Sequence, residues 1–190
     1  MLLHRIATEI TPFEGEDRRV IATTTIDTPL GLMHAGAIDR GICLLDFADR
    51  EVLAIQVARL QKTFNAELQH GENHHLHDLK NQLAEYFDKQ RERFEVPLVL
   101  SGTEFQNKAW KELQNIPYGE TRTYKQQAEK VGNPKAVRAV ATANANNRIA
   151  IIVPCHRVVA SNGDLAGYAG GIWRKQFLLD LESSSLFSDS

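Results

Sequence analysis

The first fifty residues are built from short β-branched and apolar runs, a pattern typical of strands. Residues 18–28 (RRVIATTTIDT) are rich in isoleucine, valine and threonine, and residues 41–49 (GICLLDFAD) form a second, more apolar run. Between them, Pro29-Leu30-Gly31 is a turn signal. The pattern predicts a small sheet at the start of the chain.

Helical periodicity then replaces the strand pattern. Residues 51–64 carry apolar side chains at 53, 57, 60 and 64. A similar pattern begins at position 76 and continues through the stretch 77–94 with positions 79, 83, 86 and 87. After Phe94, the residues EVPLVL are typical of an extended connector. We therefore predict two domains, 1–97 and 98–190, with the boundary near Pro97.

The second half of the chain carries clear helix signals. Thr103 with Gln106, and Thr123 with Gln126, have the spacing of capping boxes at the start of two helices. Gly132 ends the second of these, and Asn133-Pro134 predicts an N-cap and first turn for a third helix through residue 146. Two short helices around a glycine turn indicate a helix-turn-helix, although many such hairpins bind nothing.

The third helix of this half has almost no bulky side chain. Alanine stands at positions 136, 139, 141, 143 and 145, and Arg138 is the one long side chain near its start. Such a helix fits two interpretations that the sequence leaves open. It could enter a narrow DNA groove and insert Arg138 into the base stack, or it could pack tightly in a small core.

Composition narrows the class of protein. With 190 residues, 43% hydrophobic and 24% charged, the chain has the balance of an ordinary globular protein. No apolar stretch reaches the length of about 18 residues that a membrane span needs, and residues 1–19 contain no secretion signal. We therefore expect a cytoplasmic protein whose two cysteines, Cys43 and Cys155, are reduced.

Charge is distributed unevenly along the chain. Residues 1–97 hold 11 basic and 16 acidic side chains, whereas residues 98–190 hold 11 and 8. Between residues 122 and 157 there are seven basic side chains and a single acidic one, Glu129. This basic stripe favours a polyanionic partner, but a solvated basic face would have the same composition. Its members are Arg122, Lys125, Lys130, Lys135, Arg138, Arg148 and Arg157.

Cys155 ends the apolar run RIAIIVPC (148–155), which predicts a buried strand leading to a thiol. A lone cysteine is more often a packing residue than a reactive one. Here His156 and Arg157 follow directly, and a thiolate needs such a base or positive field. Glu182, at the end of an amphipathic stretch, is a candidate to orient the histidine. The glycine-rich loop after the cysteine could form a pocket wall with Tyr168 inside it.

Four segments of the second half together resemble the O6-alkylguanine-DNA alkyltransferase family: PYGETRTY (117–124), GNPKAVRAV (132–140), PCHRV (154–158) and GYAGG (167–171). They have the family's order and spacing, and the resemblance, which spans at least 101–182, is closest to the C-terminal part of bacterial adaptive-response proteins. It implies an α+β fold, with a small N-terminal ribonuclease H-like α/β domain followed by a mainly helical, winged-helix-like domain that contains the helix-turn-helix.

The resemblance also implies a reaction. Cys155 would take the alkyl group from guanine O6 by in-line displacement, once per molecule, because a thioether is not hydrolysed at a useful rate. His156, with Glu182 and a water, would deprotonate the thiol. Asn147 would brace the site, and Tyr124 would donate a proton toward guanine N3 as the guanine leaves.

The implied partner is double-stranded DNA containing O6-alkylguanine, bound from the minor groove by a monomer, with O4-methylthymine as a further substrate. Arg138 would replace the base that is flipped out of the duplex. No cofactor and no metal are expected, and the His-rich residues 74–77 are interpreted as the start of a helix. The predicted DNA contacts are Arg138, Ala136, Arg122, Lys135 and Arg157, and the predicted pocket residues are Tyr168, Ala169, Val158 and Pro154.

Three other functions compete with the repair alkyltransferase. A damage sensor of the same fold would flip the base without repairing it, but such proteins lack the cysteine found at position 155. A transcription regulator would use the helix-turn-helix and leave the Cys-His pair unexplained. A thiol hydrolase would use Cys155 and His156 but would continue to turn over beyond one equivalent of substrate.

Overall fold

The computed structural model describes residues 19–183. The prediction that the N-terminus holds no secretion signal concerns residues outside this range, apart from position 19. The described chain forms two compact units, one of residues 19–80 with 96–99 and one of residues 81–95 with 100–183. Each unit consists of two separate stretches of sequence, so this division does not test a single boundary. The predicted boundary near Pro97 therefore stays a prediction.

The first unit is built on a four-stranded sheet, and a small sheet was predicted at this end of the chain. Strands β1 (Arg19–Thr28), β2 (Gly31–Ile38) and β3 (Gly41–Phe47) are antiparallel and joined by tight turns. Strand β4 (Ala66–His70) pairs in parallel with β1, which gives the order β3-β2-β1-β4. The sequence analysis missed β4, because its five residues are mostly polar and its pairing partner lies more than 40 positions away.

Two helices form in this part of the chain, and both follow the predicted apolar periodicity. Helix α1 (Leu53–Phe64) buries its apolar face on the sheet residues Ile21 and Leu44, in a cluster that also contains Cys43. Helix α2 (His74–Phe87) begins at the histidine-rich segment and ends seven residues before Phe94, where the prediction extended it. Cys43 is thus a packing residue, with 1% of its surface exposed.

A glycine at position 41 is required by a close backbone approach. The backbone N–H of Ile42 donates to the carbonyl of Pro97 at 2.8 Å, and Val99 N–H donates back to the Ile42 carbonyl at 2.8 Å. A Cβ at position 41 would lie 2.3 Å from the Pro97 carbonyl oxygen, and its φ of +137° also favours glycine. The extended segment predicted at 95–100 is therefore attached to the edge of β3.

The second unit contains the helical hairpin that the capping signals predict. Helix α3 (Glu104–Leu113) starts at a complete Thr103–Gln106 capping box, and helix α4 (Tyr124–Lys130) starts at a complete Thr123–Gln126 box. Helix α5 (Val137–Ala145) follows after a turn in which Gly132 adopts a φ of +88°. The predicted start of α5 at Asn133-Pro134 is wrong: residues 133–136 form a separate turn, closed by a bond from Ala136 N–H to the Asn133 carbonyl.

The alanine-rich helix α5 packs tightly on one side, as one of the two interpretations expected, and entry into a DNA groove stays a prediction. One face is buried, with Val140 and Ala143 packed against Ala109 of α3 and Ala128 of α4. The opposite face is exposed and carries only small side chains around Arg138. Close packing on one side therefore leaves a low, accessible surface on the other.

The predicted buried strand before Cys155 is wrong. Residues 149–153 are buried but form consecutive turns, in which Val153 N–H donates to the Ile149 carbonyl at 3.0 Å and Ile152 N–H donates to the Ala150 carbonyl at 2.9 Å. An apolar run shows burial but does not by itself distinguish a strand from turns whose backbone groups bond locally. Beyond the turns, the short strand β6 (Val158–Val159) pairs with β5 (Arg122–Thr123), and helix α6 (Ile172–Ser183) ends the described chain.

None of the helices within residues 19–183 has the length and apolar character needed to cross a bilayer. The same described part of the chain holds no group of three or more metal-ligating side chains in a suitable arrangement. In the histidine-rich start of α2, His75 Nε2 lies 3.0 Å from the Asp39 carbonyl oxygen.

Candidate active site

Cys155 lies at the first position of a short 3-10 helix, Cys155–Arg157, where its side chain is buried. The Asn147 amide donates hydrogen bonds to Cys155 Sγ at 3.2 Å and to the Val153 carbonyl at 2.8 Å. Its carbonyl oxygen accepts from the Ile149 backbone N–H at 3.0 Å. Asn147 thus holds the turn and the thiol together, and a hydrogen-bond donor on the sulfur favours the thiolate.

His156 is completely buried, and its Nε2 lies 2.9 Å from Glu182 Oε1. A carboxylate has no proton to donate, so Nε2 carries the hydrogen and Nδ1 holds the free lone pair of a neutral imidazole. Nδ1 is buried and has no hydrogen-bond partner within residues 19–183. This arrangement leaves Nδ1 as a base next in sequence to the thiol.

The protonation states of this pair follow from its surroundings. Burial alone would raise the pKa of Glu182, but the hydrogen bonds and charges of His156 and Arg157 outweigh it and lower this pKa to about 2. Burial lowers the pKa of His156 by more than its hydrogen bond to Glu182 raises it. At neutral pH the site therefore holds an ionised carboxylate and a neutral imidazole.

Arg157 is not placed as a DNA contact requires. Its guanidinium is buried and donates to both oxygens of Glu182, from Nε at 2.8 Å and from Nη2 at 3.0 Å, while Nη1 donates to the Ile116 carbonyl at 2.6 Å. With these bonds it cannot reach a phosphate at the surface. We therefore assign Arg157 to the support of Glu182 and exclude it from the proposed DNA contacts.

A cavity of about 430 Å³ opens beside Cys155. Two of the predicted pocket residues, Tyr168 and Ala169, lie in its wall, and Tyr124 lies there too. Pro154 and Val158 are buried next to the cysteine but are not part of the lining. Most of the wall consists of small side chains, so the cavity is open to a flat, bulky group. The full lining is Tyr124, Ala141, Asn144, Ala145, Cys155, Ala166, Gly167, Tyr168 and Ala169.

Lys175, which the sequence analysis missed, supports the cavity wall from behind. It is fully buried, and its ammonium group donates to the carbonyls of Val158, at 2.6 Å, and Leu165. Burial lowers its pKa to about 8, and the charge of Cys155 acts in the opposite direction. A signal was present in the sequence: Lys175 and Glu182 are seven residues apart on one helix and so lie on the same buried face.

The basic stripe separates into two groups in the structure. Arg148 is buried and donates to the Ser101 carbonyl and hydroxyl oxygens at 2.6 and 2.8 Å. Like Arg157, it therefore forms its hydrogen bonds inside the protein. Arg138 and Lys135 are exposed, and Ala136 and Arg122 are half-buried. The predicted DNA contacts other than Arg157 are therefore accessible to a ligand.

Comparison with known proteins gives matches along most of the chain. A family model described as the 6-O-methylguanine DNA methyltransferase DNA binding domain matches residues 104–184. A second, described as the ribonuclease-like domain of the same proteins, matches residues 21–100. The methylated-DNA–protein-cysteine methyltransferase of Mycolicibacterium paratuberculosis is 42% identical over 163 residues, covering 86% of this chain and 93% of that protein.

The chain belongs to the methylated-DNA–protein-cysteine methyltransferase family.

A further relative and two solved structures show that this chain also shares the fold of the family. The constitutive methylated-DNA–protein-cysteine methyltransferase of Bacillus subtilis is 44% identical over 163 residues, 85% of this chain and 95% of that protein. The crystal structure of the Mycobacterium tuberculosis O6-methylguanine methyltransferase superimposes with a TM-score of 0.76 at 38% identity, covering 89% of this chain and 96% of that one. The structure of M. tuberculosis OGT in complex with DNA gives 0.73 at 39% identity, covering 87% and 93%. The α+β fold predicted from the resemblance is confirmed.

The buried carboxylate and imidazole of this family member predict how its stability depends on pH. The folded-state pKa of Glu182 lies below its unfolded value of about 4.3, so its stabilisation is present above about pH 4.3 and is lost as pH falls toward about 2. His156 also resists protonation in the folded state, so stability already declines as pH falls below about 6.5. Urea midpoints measured across this range should fall on acidification; a midpoint that rises instead would contradict these protonation states.

Proposed function

We propose that this protein repairs DNA by transferring the alkyl group of O6-alkylguanine, in double-stranded DNA, to its own Cys155. The observation that carries the proposal is the arrangement around one thiol: Asn147 donates to Sγ at 3.2 Å, and the buried His156–Glu182 pair, joined at 2.9 Å, lies next to it. The thiol also faces a cavity that can hold a flat base. Reactive thiols need such a base and donor, whereas packing cysteines do not.

The chemical step is a displacement at the alkyl carbon. The thiol proton passes through a water molecule to His156 Nδ1, and the ionised Glu182 stabilises the imidazolium that forms. The sulfur lone pair of Cys155 then forms the S–C bond while the C–O6 bond breaks, and its electron pair stays on the guanine. In the net reaction the thiol proton replaces the alkyl group on guanine, because the proton held by His156 returns through solvent to the group that protonates the guanine.

The guanine that leaves carries negative charge, which a proton must neutralise. Tyr124 lies in the cavity wall, and its hydroxyl donates to the Gly167 carbonyl at 3.2 Å. Burial raises its pKa, and the charge of Cys155 raises it further, so the phenol keeps its proton at neutral pH. We assign Tyr124 as the donor toward guanine N3, with the Tyr168 and Ala169 segment against the flipped base.

DNA binding is assigned to the exposed side of the helical hairpin. The small side chains of α5 permit close approach to the minor groove; Lys135 and Ala136 directly precede α5 in the chain, and Arg122 lies in β5. Arg138 stands at the N-terminal end of α5, exposed and in position to occupy the gap that a flipped nucleotide leaves. A cytoplasmic monomer that requires no cofactor is sufficient for this function, and O4-methylthymine is a further expected substrate.

The direct test is intact mass spectrometry after incubation with duplex DNA that contains a single O6-methylguanine. We expect a gain of one CH2 on the peptide that contains Cys155, with a maximum of one per molecule. Continued conversion beyond one equivalent would indicate a thiol hydrolase. Tight binding without any mass gain would indicate a damage sensor.

Arg138→Ala tests the flipping step separately from the chemistry. This variant should repair alkylated duplex DNA at least about tenfold more slowly, because the space left by the flipped base is no longer filled. Reaction with free O6-benzylguanine should keep its rate, since a free base needs no flipping. Both rates can be followed by the disappearance of the unmodified protein mass.

Arg59→Ala is the matched control for this prediction. Arg59 is an exposed arginine on helix α1 of the first unit, outside the proposed DNA contacts. Its substitution should leave both rates unchanged. If Arg138→Ala slows both substrates equally, Arg138 does not assist flipping.

A further inference from the structure

Glu182 accepts a hydrogen bond from a residue that the proposed reaction does not yet use. The hydroxyl of Tyr86 donates to Glu182 Oε1 at 2.6 Å, and this is the same oxygen that lies 2.9 Å from His156 Nε2. Tyr86 is fully buried. A distance of 2.6 Å is in the range of strong O–H···O⁻ bonds to an ionised carboxylate. Tyr86 and His156 therefore share one acceptor atom.

Tyr86 comes from a part of the sequence remote from the alkyl acceptor. It lies near the end of α2, in the segment 81–95 that groups with the second compact unit. This position falls within the match to the ribonuclease-like family model (21–100) and outside the match to the DNA binding model (104–184). The region matched by the first model therefore supplies a hydrogen-bond donor to the acceptor site in the second.

The shared oxygen gives Tyr86 a physical route to His156. A donor on Glu182 Oε1 withdraws negative charge from the carboxylate and so weakens its attraction for an imidazolium at His156. Burial and the charge of Glu182 keep the pKa of Tyr86 well above its ordinary value, so the phenol remains a donor at every relevant pH. The bond thus lowers the affinity of His156 for its proton.

Other charged and titratable groups around His156 and Glu182 also affect the pKa of His156, and a substitution at Tyr86 leaves these groups in the protein. Arg157 and Lys175 lower the pKa of His156, and Arg157 binds both carboxylate oxygens. Burial and the charge of Glu182 raise the pKa of Tyr118, but the Tyr118 hydroxyl donates to the Leu181 carbonyl at 3.2 Å. Tyr118 therefore provides a comparison: a neighbouring tyrosine hydroxyl that does not bond to the carboxylate.

We propose that Tyr86 is a positioning residue that keeps His156 unprotonated and ready to accept the Cys155 proton, by sharing Glu182 Oε1 with it. The proposal rests on the alkyl transfer proposed above. It predicts that the pH at which transfer begins to slow on acidification is determined in part by a residue outside the DNA-binding match.

The test is the pH profile of transfer by Tyr86→Phe. Rates with free O6-benzylguanine, measured from about pH 5 to about pH 9, should show the acid limb moved upward by roughly one pH unit, with little change on the alkaline plateau. Tyr118→Phe, which removes a neighbouring hydroxyl that bonds to the Leu181 carbonyl and not to Glu182, should leave the limb at the wild-type pH. Because stability also declines on acidification, each rate is divided by the folded fraction measured by circular dichroism at the same pH, so that partial unfolding does not move the limb.

A second variant keeps the shape of the side chain and reverses the effect. Site-specific 3-fluorotyrosine at position 86 is a stronger donor, so the acid limb should move to lower pH. An acid limb unmoved by both changes, or moved equally by Tyr118→Phe, would overturn the role of Tyr86. Absence of any transfer by the wild-type protein, by contrast, would overturn the proposed function itself.

Discussion

Cys155→Ala should abolish alkyl transfer completely while leaving affinity for DNA within about tenfold of the wild type, a difference of no more than about 1.4 kcal/mol. The transfer is lost because the sulfur is the atom that forms the new bond, and no other group at the site can replace it. Binding is retained because the exposed side of α5 and the proposed contacts around Arg138 do not include the thiol. Intact mass and a gel-shift titration with O6-methylguanine duplex measure the two properties independently.

The second cysteine of the chain provides the control. Cys43 is buried in the core of the first unit, its Sγ donates to the Gly36 carbonyl at 3.5 Å, and burial raises its pKa to about 12. Cys43→Ala should therefore accept one alkyl group at Cys155 as the wild type does. A tenfold or larger loss of DNA affinity in Cys155→Ala would mean that the thiol has a structural role in binding.

Glu182→Ala should have the largest effect on stability, about 3–5 kcal/mol. The substitution leaves the buried Arg157 guanidinium without the carboxylate that accepts from its Nε and Nη2, and an uncompensated buried charge is costly. The Tyr86 hydroxyl and the His156 ring lose the same acceptor. Transfer should also fall at least ~100-fold in the fraction that folds, because His156 loses the group that orients it. Urea denaturation and single-turnover kinetics measure the two effects.

Asp180→Ala is the matched control on the same helix. Asp180 is exposed, and its carboxylate accepts a bond from Gln176 at 2.7 Å at the surface. Its removal should change the free energy of unfolding by no more than about 0.5 kcal/mol and leave transfer unchanged. Equal losses of stability and transfer in the two variants would show that any carboxylate removed from helix α6 has this effect, and that Glu182 has no role of its own.

The proposed acceptor thiol and its partners were all candidates in the sequence, but the sequence did not determine the conformation of their backbone. Apolarity of residues 149–153 correctly indicated burial, and the prediction of a strand failed because burial is compatible with turns as well. In the structure, the Asn147 side chain accepts from the Ile149 backbone N–H and donates to the Val153 carbonyl, so these backbone groups are bonded within the turns. Ile151 adopts a φ of +71°, which a strand would not contain. The neighbouring predictions of His156 and Glu182 as a pair are supported by a direct contact of 2.9 Å.

Charge illustrates the same limit of sequence reasoning. The seven basic residues between 122 and 157 look equivalent in the sequence, but Arg148 and Arg157 point inward to carbonyl and carboxylate acceptors. An arginine is buried only where acceptors converge on it, and those acceptors, Ser101, Ile116 and Glu182, lie far away along the chain. No local pattern carries that information.

What the sequence determined by itself was local: the two capping boxes, the glycine turn between α4 and α5, the helical periods, and the family motifs around Cys155. These depend on residues within a few positions of each other, because a helix cap or a turn closes its hydrogen bonds over three or four residues. The tertiary structure alone brought Tyr86, Lys175 and Arg157 into hydrogen bonds around the proposed acceptor site. Their bonds join positions 10 to 96 residues apart, and only the folded chain brings those donors and acceptors together.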